Sequence, residues 1–322
     1  MSELVAIILA AGKGTRMKSK LPKVLHKVGG QPMVAHVLTA AQEAGAEQKV
    51  VVVGFGAEKV EEFIADKAKI VVQKEQLGTG HAVLQTKTVL GSTQGTALIL
   101  CGDTPLLEGA ELKKFYEAHV KAGAAVSVLT AETANPFGYG RILRDAKGQV
   151  TGIVEEKDAT AEQKQIHEIN TGIYCAQLPL MFELLATLSN NNAQGEYYLT
   201  DILTKCQAQG KLICGIKTQD FDMVMGINSR KQMSVAEGIM RQRVLDKLMD
   251  AGVTIMDPAS TFIEKMVEIG PDTIIYPYTW LEGQTKIGED CKIGPSTRLT
   301  NVEVGNNVTM QFTYGHECKV EN

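Results

Sequence analysis

Four groups of residues have types and spacing suited to binding a small polar ligand or a cation. The first, LAAGKGTRM, directly follows an apolar run near the start of the chain. Small residues and glycines let backbone approach a ligand closely, and Arg16 and the later Lys23 could bring positive charge to a triphosphate. A plain glycine-rich turn with solvated basic residues is the competing interpretation. The positions proposed for close approach are Leu9, Ala10, Ala11 and Gly12.

The order of glycines in this segment differs from two common phosphate-binding motifs. Met17 occupies the place of the third glycine in G-x-G-x-x-G, and the segment lacks the G-x-x-x-x-G-K-[ST] order of a P-loop. The sequence therefore favours neither a dinucleotide-dependent oxidoreductase nor a P-loop kinase.

The second group is the segment QKEQLGTGH, which combines two amides with two glycines. The amides of Gln73 and Gln76 each offer a donor and an acceptor, so they could read the edge of a base. Taken alone, the glycines could mark a plain helix start with Thr79 as its cap. His81 is interpreted as a structural residue.

The third group supplies oxygen atoms for a cation. An apolar strand ends in Cys101-Gly102-Asp103, and Asn228 follows much later. Mg²⁺ takes oxygen ligands and keeps water and substrate phosphates in its shell, so one or two side chains suffice. Asp103 is the first candidate ligand and Asn228 the second. A turn carboxylate and a helix N-cap are the respective structural alternatives.

The fourth group is suited to a polyhydroxylated ligand. Gly140, Glu155 and Asn170 could bond sugar hydroxyls and an N-acetyl group, while the neighbouring glycines permit close approach. A hairpin with ordinary surface acids explains each residue equally well when it is considered separately.

The elements that must position these residues are predicted by hydrophobic periodicity. Short apolar runs alternate with helical patterns, which predicts an α/β fold with a Rossmann-like, mostly parallel sheet. Binding at the carboxyl ends of parallel strands is the rule for such sheets. Two later runs that flank DAKG predict a hairpin added to the sheet. The predicted parallel strands are Val5–Leu9, Lys49–Val53, Ile70–Val72, Thr96–Cys101 and Ala125–Leu129.

The second part of the chain has a different pattern of apolar residues and glycines. An uninterrupted helical pattern predicts a linker helix over residues 231–251, after a catalytic domain over residues 1–230. In residues 252–322, Ile-Gly and Val-Gly pairs recur at several spacings near multiples of six, which is typical of a β-helix. The repeats reach the last residues without an evident cap, so the chain is expected to be a fragment of a longer protein.

Composition excludes several classes of protein. With 44% hydrophobic and 22% charged residues and a net charge of −4, the chain is globular and lacks a broad field for nucleic acid. The six scattered cysteines fit neither a zinc site nor a disulfide framework. No segment predicts a membrane span or a signal peptide, so a cytoplasmic enzyme is expected.

Taken together, these segments resemble the sugar-nucleotide pyrophosphorylases. The resemblance is greatest to the bacterial bifunctional N-acetylglucosamine-1-phosphate uridyltransferase/glucosamine-1-phosphate acetyltransferases, and it covers nearly the whole chain. The motifs occur in the family's order: LAAGKGTRM, LPKVLH, QLGTGHA, GDTPLL, GYGRI, VEEKDA, EINTG and NNNAQGEYYLTDI.

The resemblance implies the roles of the candidate residues. UTP and N-acetylglucosamine 1-phosphate would be the substrates, Mg²⁺ the cofactor, and the full-length protein a homotrimer with a left-handed parallel β-helix. Arg16 and Lys23 would contact phosphates, with Asp103 as the third catalytic residue. Asp103 and Asn228 would hold the metal. Around the nucleotide would lie Leu9, Ala10, Ala11, Gly12, Gln73, Gln76, Gly78, Thr79, Cys101 and Gly102, and facing the sugar Gly140, Glu155 and Asn170.

Two departures and two rivals qualify this expectation. Cys101 stands where relatives often have tyrosine, which puts a side-chain contact there in doubt. Most β-helix coils of the family are missing, so acetyltransferase activity is expected to be absent. A pyrophosphorylase for glucose 1-phosphate or dTTP is the rival among enzymes. A catalytically silent nucleotide-sugar scaffold is the rival from another class.

Overall fold

The computed structural model describes residues 3–321, which form two compact units. One unit contains the residues up to His26 and Met33–Ser229, and the other contains Lys27–Pro32 and the residues from Arg230 onward. The α-helices are α1 (Met33–Glu43), α2 (Ala57–Ile64), α3 (Thr79–Gln85), α4 (Lys87–Leu90), α5 (Gly109–Ala122), α6 (Leu180–Leu185), α7 (Asp201–Ala208) and α8 (Arg230–Asp250). Short 3₁₀ helices span Thr15–Met17, Lys23–Leu25, Ala65–Lys67, Gln163–Gln165, Asp222–Val224 and Pro258–Ser260.

The strands divide into long ones in the first unit and short ones in the second. They are β1 (Leu4–Ala10), β2 (Lys27–Val28), β3 (Gln31–Pro32), β4 (Gln48–Val53), β5 (Lys69–Val72), β6 (Gly95–Cys101), β7 (Val126–Glu132), β8 (Arg141–Arg144), β9 (Val150–Val154), β10 (Glu168–Leu178), β11 (Ile213–Lys217), β12 (Thr254–Ile255), β13 (Phe262–Ile263), β14 (Glu268–Ile269), β15 (Ile274–Ile275), β16 (Trp280–Glu282), β17 (Lys286–Ile287), β18 (Lys292–Ile293), β19 (Arg298–Thr300), β20 (Glu303–Val304), β21 (Thr309–Met310), β22 (Tyr314–His316) and β23 (Lys319–Val320).

A nine-stranded sheet forms the centre of the first unit. Seven of its strands follow the order β11-β7-β10-β6-β1-β4-β5, and β8 and β9 attach as an antiparallel pair through β10. Strand β10 runs antiparallel to both neighbours, whereas the other contacts along this order are parallel. The predicted mostly parallel, Rossmann-like sheet is confirmed, and so is the predicted hairpin.

Both faces of this sheet are buried, which explains why the central strand β1 is apolar along its whole length. In β1, Ala6 and Ile8 point into one core and Val5 and Ile7 into the other, and all four are fully buried. Helices α1, α2 and α5 cover the first face, and α3, α4, α6 and α7 cover the second. Because helices pack closely on both faces of the sheet, the ends of its strands are held in fixed positions.

The ends of the parallel strands bring the candidate segments to one edge. Leu9 of β1 pairs with Val52 of β4 on one side and with Cys101 of β6 on the other. Val53, the last residue of β4, pairs with Val72 of β5. The loops that follow β1, β5 and β6 therefore begin at the same sheet edge, where open α/β sheets bind ligands.

A buried histidine on α5 makes the stability of this unit depend on pH. His119 is 2% exposed, with its Nδ1 2.8 Å from Ser127 Oγ, and burial lowers the pKa of His119 to about 4. Between pH 6.5 and 4 the unfolded chain therefore binds a proton that the folded protein does not. Stability is complete above pH 6.5 and falls as the pH drops through this window. We expect a loss of about 2 kcal/mol from this group at pH 5.

Urea unfolding at pH 7 and pH 5 checks this expectation, with His119→Asn as the matched variant. The asparagine cannot titrate, so the drop in unfolding free energy between the two pH values should be smaller by about 2 kcal/mol. An equal drop in both proteins would contradict the assignment to His119.

Besides the β2–β3 hairpin, the second unit contains α8 followed by coils of a left-handed parallel β-helix, and this helix and these coils were predicted. The coils form three sheets of four parallel strands: β12-β15-β18-β21, β13-β16-β19-β22 and β14-β17-β20-β23. Successive faces of one coil point Ile275, Leu281 and Ile287 inward, where they are buried. Each coil stacks on the next, so the coils bury each other's apolar side chains. Several turns with left-handed backbone carry Asp or Asn: Asp272, Asp290, Asn301 and Asn307.

The β2–β3 hairpin lies within the predicted catalytic segment 1–230 but clusters with the second unit. The Gly29 N–H donates to the Glu237 carboxylate of α8 at 2.9 Å, and the Gly29 carbonyl accepts from the Lys265 N–H at 3.2 Å. Gly29 has φ +55°, and a Cβ there would lie 2.7 Å from Met240 Cγ, so this contact requires glycine. A domain assignment made from continuous sequence segments misses this hairpin, because the hairpin joins the second unit through contacts with residues that are distant in the chain.

Within residues 3–321, no helix combines the length and the apolar character needed to cross a bilayer.

Candidate active site

A cleft of about 490 Å³ opens at the carboxyl ends of the parallel strands. Its lining includes eleven residues that the sequence analysis singled out: Leu9, Ala10, Ala11, Gly12, Lys23, Gln73, Gln76, Gly78, Thr79, Cys101 and Asp103. Three of the four predicted groups therefore meet in one cavity. Its size and mixed apolar and polar lining are those of a small-molecule site.

The glycine-rich loop after β1 packs directly on the stem of Lys23. Gly14 has φ +58°, and a Cβ at this position would lie 2.7 Å from Lys23 Cβ. Only glycine accepts this conformation and this approach without strain. The loop and the Lys23 side chain are therefore one packed feature of the cleft wall.

The Lys23 ammonium lies between the two candidate metal ligands. Its Nζ donates to Asp103 Oδ2 in a short ion pair and to Asn228 Oδ1 at 2.9 Å. The Ile227 N–H also donates to the Asp103 carbonyl at 2.9 Å, which ties the Asn228 segment to the end of β6. These contacts bring Asp103 and Asn228 together although they lie far apart in the sequence.

This arrangement suits a hard divalent cation. A carboxylate oxygen and an amide oxygen converge on one point, which a positive charge already occupies. Among residues 3–321, no group of three or more His, Cys, Asp or Glu side chains could hold a metal ion. A cation at this point would need substrate phosphates and water to complete its shell, as Mg²⁺ commonly does.

The amides of the second segment hold their own loop in shape. Gln73, 3% exposed, donates from Nε2 to the Gly78 carbonyl at 3.1 Å, and the same nitrogen lies 3.0 Å from His81 Nδ1. Gln76 Nε2 donates to the Gln73 carbonyl at 3.1 Å. His81 is thus part of the loop's support, as the sequence analysis interpreted it.

A segment that is distant in the sequence holds this loop in place. The Tyr197 N–H donates to the Leu77 carbonyl at 2.8 Å, and the Gly80 N–H donates to the Tyr197 carbonyl at 2.8 Å. Thr79 Oγ1 accepts from the Leu199 N–H at 3.0 Å, and Gly78, one residue earlier, is the N-cap of α3. The neighbouring Glu196 consequently lines the cleft.

The fourth predicted group forms a second cluster. The Asn170 N–H donates to the Gly140 carbonyl at 2.8 Å, and a Cβ on Gly140 would lie 3.4 Å from Glu155 Oε2. Asn170 Oδ1 accepts from the Gly172 N–H and from the Tyr174 hydroxyl, each at 2.9 Å. Burial raises the pKa of Glu155.

Cys101 connects the cleft to this cluster. Its thiol donates to the Gly172 carbonyl at 3.6 Å, and Gly172 lies two residues after Asn170. Burial, followed by the charge of Asp103, raises the pKa of Cys101 to about 12, so the group is a neutral thiol at physiological pH. A reactive thiolate is therefore excluded at this position.

Some predicted residues lie outside the cleft lining. Arg16 is exposed on the 3₁₀ helix Thr15–Met17, and Gly102 is buried, with its N–H donating to the Leu9 carbonyl at 2.9 Å. Asn228 is not part of the cleft lining, and its Oδ1 accepts from Lys23 Nζ at 2.9 Å. Four lining residues have no role predicted from the sequence, although all of them stand inside quoted motifs: Lys13, Val24, Ala82 and Glu196.

The sheet, the cleft at its edge and the site around Lys23 define a nucleotidyltransferase. In agreement, residues 5–224 match the nucleotidyl transferase family. The chain is 52% identical over 318 residues to the bifunctional protein GlmU of Pelotomaculum thermopropionicum, covering 99% of this chain and 70% of that protein. It is 50% identical to the GlmU proteins of Heliobacterium modesticaldum and Caldanaerobacter subterraneus, covering 99% and 100% of this chain and 71% and 70% of those proteins.

The chain belongs to the GlmU family. It is accordingly a UDP-N-acetylglucosamine pyrophosphorylase, with a nucleotide and a sugar phosphate as substrates. Enzymes of this class generally use a divalent metal, which agrees with the oxygen pair at Asp103 and Asn228.

Proposed function

We propose that the cleft binds UTP and that the cluster around Asn170 binds N-acetylglucosamine 1-phosphate. The observation that carries this proposal is the convergence of Asp103 and Asn228 on Lys23 in the wall of the cleft. The thiol of Cys101 touches the Gly172 carbonyl beside the sugar cluster, so the two subsites are contiguous. A reacting phosphate from each ligand can then meet in front of Asp103.

The nucleotide side is assigned to backbone and amide groups. Leu9–Gly12 presents small residues to the ribose and phosphates, and the Gln73–Thr79 loop faces the base. Cys101 lies in the same wall, and the buried Gly102 is assigned to its support because the Gly102 N–H donates to the Leu9 carbonyl. The exposed Arg16 is assigned to the triphosphate, which its long side chain would reach from the loop.

The sugar side is assigned to Gly140, Glu155 and Asn170. The Oδ1 atom of Asn170 already accepts two hydrogen bonds, which fixes the plane of its amide and directs its NH₂ group away from them. Glu155 accepts from the sugar hydroxyls. Gly140 lets the backbone approach this cluster closely, because a Cβ there would lie 2.9 Å from Ile153 Cγ2.

The reaction needs no protein nucleophile. An oxygen of the sugar 1-phosphate attacks the α-phosphorus of UTP in line, forming the new P–O bond. The bond between the α-phosphorus and the bridging oxygen breaks, and pyrophosphate leaves with the electron pair. The attacking oxygen is already an anion, so Lys23 and Arg16 act by positioning phosphates and neutralising their charge.

We propose Mg²⁺ as the metal, with Asp103 and Asn228 as its protein ligands. When bound, Mg²⁺ supplies Lewis-acid stabilisation of the charge on the phosphoryl oxygens. The carboxylate of Asp103 and the amide oxygen of Asn228 provide the hard oxygen donors that this ion prefers.

The proposed organisation is a catalytic domain over residues 1–230, a linker helix over 231–251 and a β-helix domain over 252–322, in a cytoplasmic enzyme. We also propose that the full-length protein is a homotrimer. The β-helix coils expose aromatic side chains that association would cover: Tyr278, Trp280, Phe312 and Tyr314. Sedimentation velocity should detect association through this surface, and a purely monomeric protein would count against it.

Pyrophosphate release in the presence of Mg²⁺ tests the reaction. UTP, dTTP, ATP and GTP are each combined with N-acetylglucosamine 1-phosphate, glucose 1-phosphate and glucosamine 1-phosphate. We expect release only from UTP with the acetylated sugar. Release with glucose 1-phosphate would move the chain to a sister activity, and none from folded protein with any pair would favour a binding scaffold.

A further inference from the structure

The placement of Lys23 raises a question that its phosphate role does not answer. The ammonium donates to Asp103 and Asn228 at once, so it fills the point where their oxygens converge. A divalent ion bound by the same oxygens would lie closer to them than an ammonium, and it would repel a neighbouring positive charge. Lys23 and a metal ion therefore cannot use this point together.

The base of the side chain indicates where the ammonium can go. A Cβ on Gly14 would lie 2.7, 3.3 and 3.4 Å from Lys23 Cβ, Cγ and Cδ, so the stem packs against the glycine-rich loop as far as Cδ. Rotation about the bonds beyond Cδ can still move Nζ. The Lys23 and Asp103 side chains are only 15% and 14% exposed, yet both line the open cleft. The ammonium can thus leave Asp103 for a phosphate in the cleft without leaving the site.

We infer that Lys23 is a placeholder cation: in the absence of substrates its ammonium occupies the metal position between Asp103 and Asn228 and weakens metal binding until a triphosphate draws it away. This inference rests on the proposed function of those two residues as metal ligands. It assigns Lys23 a positioning role in addition to its contact with phosphate. Metal binding and triphosphate binding are then coupled through one side chain.

Mn²⁺ binding to the substrate-free protein, measured by the electron paramagnetic resonance of unbound Mn²⁺, tests the inference. Lys23→Met keeps the length of the stem and removes the charge. We expect it to bind Mn²⁺ at least about tenfold more tightly than the parent protein. Lys23→Gln, a second uncharged variant, should change the affinity in the same direction.

The matched control is Lys13→Met. Lys13 lines the same cleft and carries the same charge, but in the described part of the chain it makes no hydrogen bond to Asp103 or Asn228. Its replacement should change Mn²⁺ affinity by less than about threefold, because only a screened charge at longer range is lost. An equal gain in Mn²⁺ affinity in Lys13→Met and Lys23→Met would show that the effect is general electrostatics, and it would overturn the placeholder role of Lys23.

Asp103→Ala separates the inference from the function on which it rests. Undiminished Mn²⁺ binding by this variant would refute Asp103 as a metal ligand, and the proposed site would fail with it. Lost binding in Asp103→Ala, together with unchanged, weaker or undetectable binding in folded Lys23 variants, would overturn the placeholder alone. Circular dichroism establishes that each variant is folded.

Discussion

Replacing Asp103 by alanine is expected to lower kcat for UDP-N-acetylglucosamine formation by roughly 10²–10³-fold or more. The substitution removes the only carboxylate among the proposed metal ligands, and with it the ion-pair partner of Lys23. Both losses act where negative charge accumulates during phosphoryl transfer. The effect should appear in kcat because the metal acts on the reacting phosphates and contributes little to binding the base or the sugar.

The fold should survive this change. The main-chain bond from the Ile227 N–H to the Asp103 carbonyl needs no side chain, and the carboxylate lies in an open cleft. Asp66→Ala is a suitable control because Asp66 is exposed on the 3₁₀ helix Ala65–Lys67 and is not part of the cleft lining. Steady-state pyrophosphate release across Mg²⁺ concentrations measures the effect. Turnover of Asp103→Ala near the parent value would count against the assignment.

The fold could be predicted from the sequence wherever burial of an element produces a simple pattern of apolar residues. In β4, Val50–Val53 form an apolar run because helices cover both faces, and the predicted bounds of the parallel strands lie within three residues of the observed ones. No comparable pattern in the sequence indicates that Glu168–Leu178 runs antiparallel to its neighbours. Its place between β6 and β7 depends on pairing with distant strands, which composition does not encode.

The candidate site shows the same division. Asp103 was recognisable because a carboxylate directly follows an apolar strand, and strand ends share an edge. The ion pair between Asp103 and Lys23 could not be predicted, because a basic residue in a loop can point to solvent, to a phosphate or to an acid with the same local sequence. Glu196 lines the cleft because main-chain hydrogen bonds hold its neighbour Tyr197 against Leu77 and Gly80. No pattern of side chains in the sequence predicts these main-chain bonds.

Lys23→Met is expected to lower kcat with UTP by roughly 10²-fold, the usual scale for removing one preorganised donor to developing charge. The methionine keeps the packing of the stem against Gly14, so the loop should retain its shape. What disappears is the positive charge that we assign to the triphosphate. Lys13→Met, on the same cleft wall, should lose less because Lys13 does not bridge Asp103 and Asn228.

The value of this variant lies in its two opposite effects. A residue that only supported the site would, when replaced, weaken metal binding and turnover together, because both depend on the same geometry. A lysine that exchanges between the oxygen pair and the triphosphate would, when replaced, strengthen Mn²⁺ binding to the free protein and still slow the reaction. Parent-like turnover in Lys23→Met would contradict the phosphate role. Slow turnover with weakened Mn²⁺ binding in folded protein would make Lys23 a structural brace for Asp103 and Asn228.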